Sequence, residues 1–221
     1  MEDIVFPIHK QHLYTLIILH GMYESNESLL GLVNYLQNNN CNLKIILPNA
    51  PNRDINWPTG IEKDVNSWYN YYTRYDGKME YDIINQEEFY DQVERINKII
   101  EAEINILEDP KKIFIAGISQ GGTLALHIGL TYLFELGGII GIHTLFLKDM
   151  IQDLDNINNV PIFLLSGKND EIYNYKFQRI SARKIMKNII KWKLVKKLQH
   201  CEYYKHENKL INRYLNFFMK K

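Results

Sequence analysis

The 221 residues, 46% of them hydrophobic and 12% aromatic, suffice for one substantial core and are too few for two comfortable domains, so one domain over 1–221 is expected. With 26 Lys and Arg against 26 Asp and Glu, no global field draws the chain to nucleic acid or to an anionic membrane. Cys41 and Cys201 are too few for a disulfide framework or a zinc site, the acidic start does not resemble a signal peptide, and no apolar run reaches about 18 residues, which together predict a soluble, cytoplasmic protein with no integral membrane segment.

In chain order, short apolar runs alternate with longer amphipathic ones. A strand at Leu13–Leu19 is followed by a helix at Ser28–Gln37 and a strand at Leu43–Leu47. Residues 48–85 break the alternation: Pro48, Pro51, Pro58, Gly60 and Gly77 among many aromatics predict a long, irregular but ordered excursion. Asn85, with Glu88 three residues on, caps a helix over Gln86–Asn105. Strand Lys112–Gly117, helix Gln120–Leu133, strands Gly138–Ile142 and Val160–Ser166, helix Lys176–Asn188, strand Lys191–Lys197 and helix Glu207–Met219 complete the series. The near-continuous apolar character of several strands predicts burial on both faces. The fold class is therefore α/β, a mainly parallel, doubly wound sheet with helices on both faces and reactive groups at the strands' carboxyl ends.

One motif carries chemistry. Gly117-Ile118-Ser119-Gln120-Gly121 places Gly-x-Ser-x-Gly between an apolar strand and an apolar helix. In that setting the serine sits on a strained turn, exposed at a helix N-terminus where the dipole and free N–H groups favour a developing negative charge. The Gln120 N–H would face the oxyanion of a tetrahedral intermediate.

A serine hydroxyl needs a base, and the base an orienting carboxylate. On such elbows the acid and then the histidine follow the serine, which removes His9, His12 and His20. His127 lies on the elbow's own helix, and His143 ends a strand before any well-placed acid. His200, in a short loop after a strand, is the stronger candidate, while His206 at a helix start suits a cap or the surface. Asp170 follows the strand Val160–Ser166, with Glu171 as its local rival; Asp149, Asp153 and Asp155 occupy a polar segment and read as solvated. A His20-Gly21 turn at the end of the first strand could present the Met22 N–H as a second oxyanion donor, although His20 itself reads as a buried turn residue.

Leu19-His20-Gly21, Pro48-Asn49-Ala50-Pro51, Ser67-Trp68-Tyr69, Gly117-Ile118-Ser119-Gln120-Gly121-Gly122, Gly167-Lys168-Asn169-Asp170 and Gln199-His200, in that order, resemble the acyl-protein thioesterase/lysophospholipase/carboxylesterase family of small α/β-hydrolases. The resemblance implies the α/β-hydrolase fold, Ser119, Asp170 and His200 as catalytic triad, and Met22 and Gln120 as backbone oxyanion donors. It implies metal-free, cofactor-free hydrolysis of S-acylated proteins, lysolipids or small carboxylic esters. The aromatic excursion, with Trp57, Trp68 and Tyr69, is where such enzymes are expected to hold the acyl chain. A homodimer stays open as an assembly state. Three departures bear on substrate: Met22-Tyr23-Glu24-Ser25-Asn26 replaces the family's Gly-Asp-containing stretch, Asn70 stands where an acid is common, and no cysteine lies near the N-terminus for palmitoylation.

Overall fold

A computed structural model describes the chain apart from residues 1, 7, 9, 80, 148–150, 152–154, 202–204 and 221, and gives only the backbone of 205 and 206. Nine strands form in chain order: β1 (Ile4–Phe6), β2 (Tyr14–Leu19), β3 (Leu43–Leu47), β4 (Asn52–Trp57), β5 (Gly60–Asn66), β6 (Ile113–Ile118), β7 (Gly138–Ile142), β8 (Ile162–Gly167) and β9 (Ile189–Val195). The α-helices are α1 (Leu30–Asn39), α2 (Gln86–Leu107), α3 (Ser119–Thr131), α4 (Tyr175–Ser181) and α5 (Lys205–Phe218). Seven strands make one sheet in the order β1-β3-β2-β6-β7-β8-β9, parallel except for β1.

The alternation of side chains along each strand divides the core in two. Ile17 and Leu19 of β2 pack with α2, α3 and α4, whereas Leu16 and Ile18 pack with α1 and α5. Residues of both sets are fully buried, which is why β2, β6, β7 and β8 read as continuous apolar runs rather than alternating ones. Helix α3 is buried nearly all round, as its apolar sequence requires. Strand order reverses at β2, with β3 on one side and β6 on the other. The crevice beyond the carboxyl ends of β2 and β6 is the place where an open α/β sheet binds ligand.

The α/β class and the interleaving match the sequence expectation. Three details differ. Ile4–Phe6 adds an antiparallel edge strand that three residues could not announce. Part of the excursion expected to be irregular is a hairpin, β4 against β5, turned by Pro58 and Thr59 before Gly60 at φ 141°. The expected helix Lys176–Asn188 is α4 followed by a 3-10 stretch, Ala182–Asn188, with Ile185 out of helical geometry.

The rest of the excursion is tied down. Arg53 pairs with Glu88 on α2 at 2.9 Å, and Asn70 accepts the Asn56 and Tyr71 N–H groups and donates to the Asp54 carbonyl. Asn85 does cap α2 by accepting the Glu88 N–H at 3.2 Å, but the Glu88 carboxylate turns to Arg53 and the Asn70 N–H instead of closing a full capping box.

Candidate active site

Strand β6 runs extended to Ile118 and α3 begins at the next residue, so the chain reverses direction at Ser119, whose φ is +51°. A left-handed conformation costs a residue with a Cβ on the order of 1–2 kcal/mol. Two glycines permit the turn. A Cβ on Gly117 would meet the Gly121 carbonyl oxygen at 2.2 Å, and one on Gly121 would meet the His20 carbonyl oxygen at 2.3 Å. Helix α3 thereby starts against the ends of both β6 and β2.

His200 Nε2 lies 2.8 Å from Ser119 Oγ, and His200 Nδ1 lies 2.9 and 3.0 Å from the two oxygens of Asp170. A carboxylate at Nδ1 makes that nitrogen the protonated one and leaves the Nε2 lone pair facing the hydroxyl. Asp170 follows β8 and His200 follows β9, two adjacent parallel strands, so both reach the same end of the sheet as Ser119. The Ile172 and Tyr173 N–H groups and Gln178 Nε2 also donate to Asp170. Burial opposes its charge, but the donors from His143 and His200 outweigh burial and hold its carboxyl below the ordinary carboxylate value. Glu171, the rival acid, accepts the His200 backbone N–H at 3.1 Å instead.

His143, which chain order set aside as a base, is brought to the same carboxylate. It is fully buried at the end of β7 with φ +47°, and its Nδ1 stands 3.1 Å from Asp170 Oδ2. Sequence could have flagged it as a titratable residue ending the strand beside the one that leads to Asp170. Among the described residues, His143, Asp170 and His200 are the one group whose ligand atoms lie close enough to hold a metal, within 4.8 Å of one another. Both Asp170 oxygens are already engaged by N–H donors. Asp149, Asp153 and His9 lie outside the described residues, as does the side chain of His206.

Met22 and Gln120 both line the space in front of Ser119. The Gln120 amide belongs to the first turn of α3, whose N–H groups have no partner within the helix. Its side chain clamps the excursion: Oε1 accepts the Trp68 N–H at 2.9 Å and Nε2 donates to the Tyr69 carbonyl at 2.8 Å. His20 is a structural residue. One ring nitrogen lies 2.7 Å from the Gly21 carbonyl oxygen, the other accepts the Ala50 N–H, and burial lowers its pKa.

The cavity measures about 150 Å³ and is walled by Tyr23, Trp57, Tyr71, Ile172 and Tyr173, with Arg74, Asp76 and Asp82 also on its lining. Of the three aromatics expected to hold an acyl chain, only Trp57 lines it. Trp68 and Tyr69 are completely buried: the Trp68 indole donates to the His20 carbonyl at 2.8 Å, and Tyr69 packs edge-on to Phe89. They support the floor and offer substrate no surface. Glu62 fixes the rim by accepting from both Tyr23 Oη and Trp57 Nε1, at 2.7 and 2.8 Å. Cys201 also lines the cavity, and burial together with Glu171, Glu24 and Asp170 pushes its thiol pKa up, away from reactivity.

The model of the phospholipase/carboxylesterase family matches residues 2–216. The chain belongs to that family. It is similar to acyl-protein thioesterase 1 of Gibberella zeae, 27% identical over 90% of this chain and 88% of the relative. The acyl-protein thioesterase 1 of Schizosaccharomyces pombe is 29% identical over 86% of this chain and 83% of the relative. Among solved structures, Zea mays acyl-protein thioesterase 2 superposes with a TM-score of 0.79 at 19% identity, covering 99% of each chain. The Bacillus cereus carboxylesterase does so with a TM-score of 0.73 at 14% identity, covering 98% of this chain and 93% of the other. This family member has the α/β-hydrolase fold and is a hydrolase of the esterase or thioesterase kind. Among the described residues, no helix is long and apolar enough to cross a membrane.

Proposed function

We propose that the chain is a serine hydrolase that removes acyl groups from S-acylated proteins, and from lysolipid or carboxylic esters, through an acyl-enzyme. The observation that carries this reading is the hydrogen-bonded line from Ser119 Oγ through His200 to Asp170. His200 Nε2 takes the hydroxyl proton as Oγ attacks the acyl carbonyl, and Asp170 stabilises the imidazolium. The Met22 and Gln120 N–H groups receive the oxyanion. The tetrahedral intermediate collapses, His200 returns the proton to the leaving thiolate or alkoxide, and the acyl group remains on Ser119. Water, deprotonated by the same nitrogen, then attacks the acyl-enzyme and frees the carboxylic acid. We place this activity in the cytoplasm, where the two free thiols stay reduced.

Cavity size favours a second reading, a carboxylesterase for small acyl groups. A cavity of roughly 150 Å³ is of the order that encloses a benzene ring, so about six carbons fill it. A longer chain would have to extend beyond this cavity. Specificity constants on matched thioesters and oxyesters, with acyl chains from two to sixteen carbons, separate the two. The thioesterase reading expects rates that hold or rise beyond six carbons and a pre-steady-state burst of released thiol. A sharp optimum at the shortest chains transfers the enzyme to the second reading.

A further inference from the structure

Zero net charge conceals a separation of charge. Residues 176–197 contain nine of the chain's 26 lysines and arginines and none of its 26 aspartates and glutamates, which leaves 17 basic against 26 acidic residues elsewhere. All nine are exposed, and none has an ion-pair partner among the described residues. The segment comprises α4, the 3-10 stretch and β9, three consecutive elements at the edge of the sheet, where β9 pairs with β8 and, among the described residues, with no further strand.

A bland purpose covers part of this. Lysines on an edge strand discourage pairing with another chain, which would account for Lys191 and Lys193. It does not account for Arg179, Arg183, Lys184 and Lys187 on the helical turns. Nor does it account for the apolar side chains set among the charges: Ile180, Met186, Ile190 and Leu194 are 39–47% exposed. Arg179, Met186, Trp192 and Leu194 border one groove of about 320 Å³. A surface of this composition matches a partner that presents anionic groups over an apolar layer. Nucleic acid supplies the first and leaves Met186 and Leu194 unused.

The segment is also bracketed by the site. The loop carrying Asp170 leads into α4, and β9 leads into the loop carrying His200. We infer that the α4–β9 edge is a docking face for anionic phospholipid membranes. Docking there would hold the Ser119 cavity close to ester or thioester substrates anchored in the same bilayer; that benefit rests on the hydrolase reading, whereas docking itself does not.

The test is co-sedimentation of the full chain with phosphatidylcholine vesicles, with and without phosphatidylserine, across a salt titration. Binding should need phosphatidylserine and weaken steeply with salt. Reversing Lys184, Lys187, Lys191 and Lys193 to Glu should cost at least roughly fivefold in partition per residue. Met186→Ser with Leu194→Ser should weaken binding at every salt concentration. Both variants should retain turnover of a soluble short-chain ester, which reports that they fold. If the charge reversal unfolds the chain, the salt dependence of the native protein and the apolar variant still decide. Equal partition onto both vesicle types, or no partition onto either, overturns the proposal. So does tighter binding to duplex DNA that the apolar variant leaves unchanged. Ser119→Ala should bind vesicles like the native chain, which separates failure of docking from failure of the hydrolase reading.

Discussion

His143 Nδ1 lies 3.1 Å from Asp170 Oδ2, so the carboxylate that holds His200 also holds a second, fully buried imidazole. The Nε2 of His143 has no partner among the described residues, and Nδ1 lies nearer to Asp170 than to the Gly167 N at 3.4 Å, so the carboxylate is the partner that favours a proton on Nδ1 and fixes the ring. We read His143 as a positioning residue for Asp170. Replacing it with Leu should lower kcat by roughly tenfold or more, the scale of one lost hydrogen bond to a charged group, with KM little changed. His143→Gln, which keeps an N–H donor, should recover part of the loss. Steady-state kinetics on both variants check this, and an effect confined to KM or to thermal stability speaks against a positioning role.

Asp170 and His20 make stability depend on acid. The Asp170 carboxyl is held below its ordinary value of 3.8, so its contribution is present above that pH and is lost as pH falls through the lower, folded-state value. His20 is lowered from 6.5 by burial, so the unfolded chain takes up a proton first and stability declines as pH drops below 6.5. Thermal unfolding midpoints should therefore fall from pH 7 toward pH 5. His20→Asn, although destabilised, should show a flatter slope across that interval.

The elbow depends on close backbone approach. A Cβ at residue 121 would press on the carbonyls of Leu19 and His20, at 2.5 and 2.3 Å, which are backbone atoms of the central sheet. Gly121→Ala should destabilise the chain by about 1–3 kcal/mol, read as a lower denaturation midpoint. Its residual folded fraction should be impaired in kcat, because the shift displaces Ser119 and the Met22 turn together.

Much of this arrangement was legible in the sequence for local reasons. Ser119 sits in a motif whose glycines answer to a steric demand, Asp170 follows an apolar run that reads as a buried strand, and His200 follows β9, an edge strand with lysines among its apolar residues and none of them fully buried. The hairpin is hidden in the sequence because β4 and β5 bury only Ile55 and Val65, so no alternation marks them, and the flanking Pro51 and Pro58 read as breakers. Trp68 and Tyr69 were expected to meet substrate because aromatic content signals contact without saying with what; here the contact is with His20, Gln120 and Phe89. Chain order sets His143 aside as the base because it precedes the acid, and that criterion is silent on a positioning role, which comes from the pairing of β7 beside β8.

The triad reading predicts graded losses. Asp170→Asn would favour the wrong tautomer of His200 and should cost on the order of a thousandfold to ten-thousandfold in kcat. Ser119→Ala should leave only what oxyanion stabilisation and binding supply. Rates on a soluble thioester measure both.

Intact-protein mass measurement after treatment with a fluorophosphonate tests the nucleophile most directly. The account predicts one adduct per chain, carried on Ser119, abolished by Ser119→Ala and slowed by His200→Ala. No adduct on the native chain, or an adduct that persists in Ser119→Ala, would contradict it.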